Sequence, residues 1–256
     1  MKKKVKAVVF SQEELTNGVY SLWIKTELAK EVKPGSFLGV YINNPTKLLA
    51  RPISICDVKK DENLIRMVYR CVGEGTKELS SYAEGTEIDI LGVLGNGYDL
   101  ENLSGKKVII IGGGIGIPPM LLLTKSVKTE KTVVLGYSDS NLFLKDEFDK
   151  EADVYVATVC GSVGTKGTVL DAMEENGITG DVIMACGPMP MLRAIKEYAQ
   201  KHNMKAYISL EERMACGVGA CLGCVCKTVN KDHHTHVNNT RICVEGPVFD
   251  AEEVEI

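Results

Sequence analysis

The 256-residue sequence has no basic excess, no long apolar run and no internal repeat, and each absence removes a class of function. Thirty Lys and Arg against 34 Asp and Glu leave a formal charge of -4 and a pI near 5.7, which argues against a nucleic-acid partner. The longest apolar stretches fall far short of the ~20 residues that a membrane span needs. The opening Met-Lys-Lys-Lys-Val-Lys lacks the apolar core of a signal peptide, and nine cysteines is an odd number. A disulfide framework is therefore disfavoured and a reducing, cytoplasmic setting is expected. With 45% hydrophobic and 25% charged residues, the composition is ordinary for a globular protein of two domains and a small appendage.

What the sequence does have is Cys216, Cys221, Cys224 and Cys243 in C-x4-C-x2-C…C order, the thiolate spacing of a plant-type [2Fe-2S] cluster. Gly217, Gly219 and Gly223 stand among small residues between the first three, so the backbone can curl around an inorganic core and aim amides at its sulfurs. A zinc site also takes four thiolates, but structural zinc usually shows two C-x2-C pairs, and only one such step is used here. Cys226 fits no ligand pattern and is expected as a small buried side chain on the strand leaving the cluster loop. Cys56, Cys71 and Cys160 are expected to be buried in the same way.

Up to about residue 100, short β-rich runs alternate with turn signals. Residues 5–10, 19–26, 37–42, 51–57, 64–72 and 87–91 are the candidate strands, with glycine or proline in most of the gaps. Strands this close, with one helical turn expected over 76–82, suggest an antiparallel Greek-key β-barrel. Arg51-Pro52-Ile53-Ser54 sets a fork-shaped phosphate donor beside a hydroxyl. Tyr69-Arg70 leads into Gly73-Glu74-Gly75-Thr76, where amides at a helix start could receive a pyrophosphate. Alone, each signal is weak, since Arg-Pro on a strand edge is more often structural.

From residue 106 the period changes. An apolar run over 107–111 suits a buried parallel strand, and it leads into Gly112, Gly113, Gly114 and Gly116 and then an apolar helix over 120–127. The G-x-G-x-x-G fingerprint is missing, because Ile117 stands at its third glycine. Further strands at 132–137, 153–158 and 181–186 alternate with helices at 170–176 and 189–201, which predicts a parallel α/β nucleotide-binding domain. Asp139, past the second strand, can bind ribose hydroxyls, and no arginine there welcomes a 2'-phosphate, so NAD is preferred to NADP. Cys186-Gly187-Pro188 opens another helix at a strand end, where ligands bind in such sheets.

Taken in order, Arg51-Pro52-Ile53-Ser54, Gly75-Thr76, the glycines from Gly112 to Gly116 and Cys186-Gly187-Pro188 resemble the ferredoxin-NADP reductase superfamily. With Met214-Ala215-Cys216-Gly217-Val218-Gly219-Ala220-Cys221, the sequence is similar to the iron-sulfur electron-transfer subunits of NAD-linked (class 1B) dihydroorotate dehydrogenase. That resemblance spans essentially the whole chain and implies three units: an FAD-binding barrel over 1–100, an NAD-binding α/β domain over 101–210 and a [2Fe-2S] domain over 211–256. It implies that Arg51, Pro52, Ile53 and Ser54 contact FAD, that Val68, Tyr69 and Arg70 line its ribityl and adenosine side, and that Gly75 and Thr76 hold its pyrophosphate. Gly112, Gly113, Gly114, Gly116, Cys186 and Gly187 would frame the nicotinamide pocket. The implied partner is an FMN-containing catalytic subunit, as a heterotetramer of two of each chain, serving pyrimidine biosynthesis; no residue of this chain would act on dihydroorotate.

Two departures stand out. The 18 residues between Cys224 and Cys243 carry Asp232-His233-His234-Thr235-His236, longer than is usual in the family. These histidines raise a Rieske-like alternative, although four thiolates already fill the ligand set and an exposed hairpin is favoured. Val93 and Tyr98 stand where Pro and Phe are expected. Small flavin and iron-sulfur subunits of an NADH-dependent ferredoxin:NADP oxidoreductase or a sulfide dehydrogenase remain the alternative among enzymes, and a zinc module the alternative outside them.

Overall fold

A computed structural model describes residues 2–231 and 236–256. Of the expected histidine hairpin, His233 and His234 lie outside the described residues, and His236 is exposed.

The first unit contains β1 (Lys3–Thr16), β2 (Val19–Lys25), β3 (Phe37–Val40), β4 (Arg51–Lys59), β5 (Leu64–Arg70), the short helix α1 (Glu74–Leu79) and β6 (Glu87–Leu94). Its strands close into an antiparallel barrel in the order β1-β2-β5-β4-β3-β6. Period-2 alternation drives it: Ala7 and Val9 point inward while Val8 and Phe10 face out. Strand β1 runs on to Thr16 because a register shift after Val9 keeps the polar stretch from Ser11 to Glu14 paired with β2. Leu22, Ile24, Leu38, Ile55, Ile65, Met67 and Ile90 fill the barrel without exposure, each contributing ~1.5–3 kcal/mol of burial free energy.

The second unit begins with β7 (Val108–Gly113), α2 (Ile117–Ser126), β8 (Lys131–Tyr137), α3 (Lys145–Phe148), β9 (Asp153–Thr158) and β10 (Thr165–Lys166). It continues through α4 (Val169–Glu175), β11 (Val182–Cys186), α5 (Met189–Lys201) and β12 (Lys205–Ser209). The remaining strands are β13 (Val225–Thr228), β14 (Asn239–Arg241), β15 (Val248–Asp250) and β16 (Val254–Glu255). The large sheet has the order β10-β9-β8-β7-β11-β12-β15. All neighbours in it are parallel except β15, which returns from the C-terminal segment to pair antiparallel with β12. Strands β14-β13-β16 form a small sheet beside it. No helix of the described residues is long and apolar enough to cross a membrane.

Three polar ties hold barrel and α/β unit in register. Arg66 on β5 donates from Nη1 to both Glu147 oxygens of α3 at 2.8 Å and from Nε to Ser21 Oγ at 2.9 Å. Lys125 on α2 meets Asp57 on β4 at 2.5 Å. The buried Tyr98 hydroxyl donates to Ala185 O at 2.9 Å.

Candidate functional site

In the barrel, the β4–β5 ladder begins at the pair Ile55↔Met67. Beyond it the strand ends part company: Arg51–Ser54 stay paired with β3 and Val68–Arg70 with β2. The expected flavin residues therefore face one another across a slot between two strands of one barrel. Arg51 is the anchor at its mouth. Its Nη1 donates to Lys47 O at 3.4 Å and to Leu49 O, and its guanidinium lies against Gly75, where a β-carbon would come 2.4 Å from Nε. A fixed positive fork thus meets the amides that open α1, the combination that a pyrophosphate needs.

The other residues divide by role. Thr76 Oγ accepts from the amides of Val72 and Gly73 at 3.1 and 3.2 Å and donates to Gly73 O at 3.0 Å, so its hydroxyl locks the turn. Val68 packs in the core shared with the α/β unit, whereas Tyr69 packs in the barrel core and donates to Gln12 Oε1 at 2.8 Å. Burial raises the Tyr69 phenol well above its ordinary value. Pro52 and Arg70 are exposed, Ile53 is buried and Ser54 is half-buried. A slot with an arginine, a glycine cradle and a hydroxyl fits an FAD.

At the carboxyl edge of the large sheet, Cys186 pairs with Gly112, and the two glycine turns interlock. A β-carbon on Gly116 would stand 2.4 Å from Cys186 O, and one on Gly187 would stand 2.4 Å from Met191 Cε and 3.2 Å from Gly113 Cα. One on Gly112 would touch Ile117, and one on Gly113 Met191 Sδ. Packing therefore demands these four glycines, while Gly114, at φ +54° with nothing within 4 Å of its β-carbon position, faces open space. Asp139, on the exposed loop after β8, accepts from the amide and the side chain of Asn141 at 2.8 and 2.7 Å. This edge, at strand carboxyl ends, suits a dinucleotide.

Sequence reasoning did not single out Glu211, which follows β12 on the same edge. Although Glu211 opens to the surface, the protein crowded around its carboxyl holds it above the usual carboxylate range by desolvation. It faces Cys186, whose buried thiol is raised by burial and by Glu211 itself and touches Ser209. An acid placed two residues past an unexpected strand gives no periodic signal.

The cysteine segment curls as its glycines suggest. Gly217, Gly219 and Leu222 take φ of +68°, +83° and +54°, turning successive amides inward. Val218 N and Ala220 N donate to Cys216 Sγ at 3.4 and 3.3 Å, and Gly223 N donates to Cys221 Sγ at 3.4 Å. The Cys216 thiol feels that of Cys221, and the Cys243 thiol that of Cys224, so the four fall into two neighbouring pairs. Two pairs of thiols suit two irons, each with two protein ligands. No three Cys, His, Asp or Glu side chains of the described residues gather as one metal ion would require. Burial works against ionising Cys216, but the amides of Val218, Cys221 and Ala220 outweigh it and lower the thiol. Burial and the neighbouring Cys224 raise Cys243.

The outlying thiols fall in different places. Cys226 is half-buried on β13, Cys56 is buried and Cys71 half-buried. Cys160 departs from expectation: it is exposed on the loop after β9, its Sγ 3.1 Å from Ser162 Oγ.

The cluster loop sits on the barrel. A β-carbon on Gly217 would lie 3.2 Å from Leu94 and 3.3 Å from Leu91, and Cys224, Cys243, Leu91, Leu94 and Phe37 share one hydrophobic cluster. Strand register then gives the connection inward: Leu94 pairs with Phe37, and Phe37 with Ser54. Strand β6, on which the cluster loop rests, and strand β4, at the slot, are two strand spacings apart, about 10 Å.

Comparison with known proteins agrees with this geometry. Residues 211–255 match the family described as the iron-sulfur cluster binding domain of dihydroorotate dehydrogenase B. In solved structures, the chain is similar to an NADH-dependent reduced ferredoxin-NADP oxidoreductase, with a TM-score of 0.87, 30% identity and coverage of 97% of this chain and 89% of that one. A ferredoxin NADP+ reductase from Neisseria gonorrhoeae with bound FAD and NADP shares the fold at a TM-score of 0.66 and 14% identity, over 78% of this chain and 91% of that one. Among curated proteins, the dihydroorotate dehydrogenase B (NAD(+)) electron transfer subunit of Bacillus velezensis is 41% identical over 99% of this chain and 100% of its own length. That of Fusobacterium nucleatum subsp. nucleatum is 42% identical over 95% of each chain. With a slot between two barrel strands, a glycine-rich sheet edge and paired cysteines on one scaffold, and relatives this similar end to end, the chain belongs to the family of dihydroorotate dehydrogenase B electron transfer subunits.

Proposed function

We propose that this chain passes electrons from an FMN-containing dihydroorotate dehydrogenase catalytic subunit, through a [2Fe-2S] cluster and FAD, to NAD+ in the biosynthesis of UMP. The expected assembly is a cytoplasmic heterotetramer of two of each chain. The observation that carries this reading is the path from Gly217 through Leu94 and Phe37 to Ser54, which sets the cluster loop beside the flavin slot. The bound cluster supplies one-electron transfer and the flavin the conversion to hydride that nicotinamide requires.

The residues of the chain supply position. Arg51 and the start of α1 hold the pyrophosphate end of FAD, and Ser54 lies toward its ring. Gly114 leaves the dinucleotide room at the end of β7, with Cys186 and Glu211 beside it. Gly112, Gly113, Gly116 and Gly187 keep the two turns close enough to frame that pocket, while Asp139 stands where an adenosine ribose would lie. Val218, Leu222 and Val244 are exposed around the cysteines and give the cluster loop an apolar face for a partner.

The structural likeness to the NADH-dependent ferredoxin-NADP oxidoreductase supports a second reading with the same cofactors and a different large subunit. Partner identity decides between them. Affinity purification of the native chain is expected to bring down an FMN-containing catalytic subunit, and the complex to reduce NAD+ with dihydroorotate. The isolated chain should reduce artificial acceptors with NADH and leave dihydroorotate untouched. Robust dihydroorotate oxidation by the rigorously isolated chain would overturn this division of labour.

A further inference from the structure

The four thiols come from two segments, the loop carrying Cys216, Cys221 and Cys224 and the turn around Cys243. On the Cys224 side the backbone joins them, since Ile242 N donates to Cys224 O at 2.9 Å. On the Cys216–Cys221 side the link is a side chain. Arg241 Nη1 donates to Gly219 O at 3.0 Å, midway along the loop between those two cysteines.

The rest of Arg241 is taken up by one acid. Its Nε donates to the two Glu245 oxygens at 3.1 and 3.0 Å, its Nη2 to Oε1, and its own amide to Oε2 at 2.8 Å. Arg241 O in turn accepts from Val244 N at 3.1 Å and Glu245 N at 2.9 Å, closing a turn with Cys243 inside it. Gly219 is shaped for this contact: at φ +83°, a β-carbon there would lie 2.7 Å from Val244 Cγ2 and 3.1 Å from Arg241 Nη1. Asn96, in the linker after β6, donates its amide to Gly246 O at 2.9 Å and its side chain to Glu245 O, so the turn is fastened to the barrel side as well.

Both side chains are 38% exposed. A surface ion pair of that kind contributes little to folding, so stability does not account for an arrangement with this many bonds. Its location does. The pair straddles Cys243 in sequence and reaches the facing loop in space. Because reducing an iron-sulfur centre adds negative charge, a nearby cation favours the reduced form and a nearby anion disfavours it.

We propose that Arg241 and Glu245 form a positioning clamp for the cluster: Arg241 ties the Cys216–Cys221 loop to the Cys243 turn, and Glu245 orients the guanidinium and cancels its charge beside the sulfurs. This rests on the reading of the four cysteines as [2Fe-2S] ligands. The clamp has two separable parts, the fork that spans the segments and the balance of charge.

The test uses the full-length chain in complex with its catalytic subunit, with two readouts besides turnover. One is the reduction potential of the cluster from an EPR-monitored titration; the other is the rate of iron release to a chelator. Glu245→Gln is expected to move the potential upward, Arg241→Gln downward, and the double variant to a value between. Arg241→Lys keeps the charge and loses the planar fork, so it should hold the potential near that of the unaltered protein yet release iron several-fold faster. Near-UV circular dichroism and FAD content identify any variant that has simply misfolded, and Arg241→Lys then carries the test. Shifts of the same sign in both single variants, or unchanged potentials with unchanged iron release, would overturn the clamp. If the unaltered chain holds zinc and gives no EPR signal on reduction, the cluster reading falls first and the clamp with it.

Discussion

The guanidinium of Arg51 rests on the α-carbon of Gly75, so near that a methyl group there would stand 2.4 Å from Nε and 2.7 Å from Nη2. The guanidinium is the end of a long side chain and can swing aside, but only by breaking the bonds from Arg51 Nη1 to two carbonyls of its own loop. Gly75→Ala should therefore push the fork out of the slot and weaken FAD binding at least about tenfold, ~1.4 kcal/mol. Gly73→Ala, with no atom within 4 Å of the added carbon, should bind FAD as before. Flavin fluorescence on dilution separates the two variants; equal loss in both would remove the contact from the binding site.

Tyr98 stands where family resemblance leads one to expect Phe, and its hydroxyl is the reason the difference matters. It is buried and donates to Ala185 O across the domain junction at 2.9 Å. Tyr98→Phe keeps the ring against Gly35 and loses only that bond, at a cost of ~0.5–1.5 kcal/mol. For a chain of this size that lowers the melting temperature by about 1–6 °C. Calorimetry of the FAD-loaded chain measures it, and an unchanged midpoint would show that the bond contributes nothing net.

Glu211 gives a pH dependence with a definite sign. Desolvation raises its carboxyl above the ordinary 4.5, so between that value and its folded value the native state holds a proton that the unfolded chain has lost. Unfolding free energy then falls as pH rises through this window. Below 4.5 both states are protonated and the penalty vanishes. Glu211→Gln should accordingly melt higher than the unaltered chain at pH 8 and together with it at pH 4. Melting curves at the two pH values provide the check, and a difference confined to pH 4 would reverse the assignment.

How much of this was legible in the sequence depends on whether the constraint is local. The barrel strands read out because residues such as Val5, Ala7 and Val9 alternate within a turn-bounded run, and the cysteines because ligand chemistry fixes their spacing. The polar half of β1 was invisible: Ser11 to Glu14 pair with β2 only after a register shift. Strand β15 and its place beside β12 were invisible as well, since three residues carry no period and their partner lies some forty positions away. The same holds inside the site. Arg51 and Gly75 were each visible as phosphate-binding types, but their contact was not, nor was the reach of Arg241 to Gly219 O. Cys160 shows the opposite failure, a residue type that is usually buried placed on a surface loop where packing had no say.

The ligand set itself can be tested by the cysteine that should not matter. Cys226 lies two residues past Cys224, half-buried on β13 opposite Thr240, and burial pushes its thiol up to about 11, so it stays protonated at neutral pH. The partner of Cys224 is Cys243 instead, brought in by the bond from Ile242 N to Cys224 O. Cys226→Ala should then keep two irons per chain and an unaltered EPR signal on reduction. His236→Ala should do likewise, because that side chain is exposed. Cys243→Ala removes one of the two thiolates from an iron and should lose most of the iron while the FAD spectrum persists. Iron analysis with EPR on the three proteins decides the matter: iron lost from Cys226→Ala or His236→Ala, and retained in Cys243→Ala, would move the fourth ligand off Cys243.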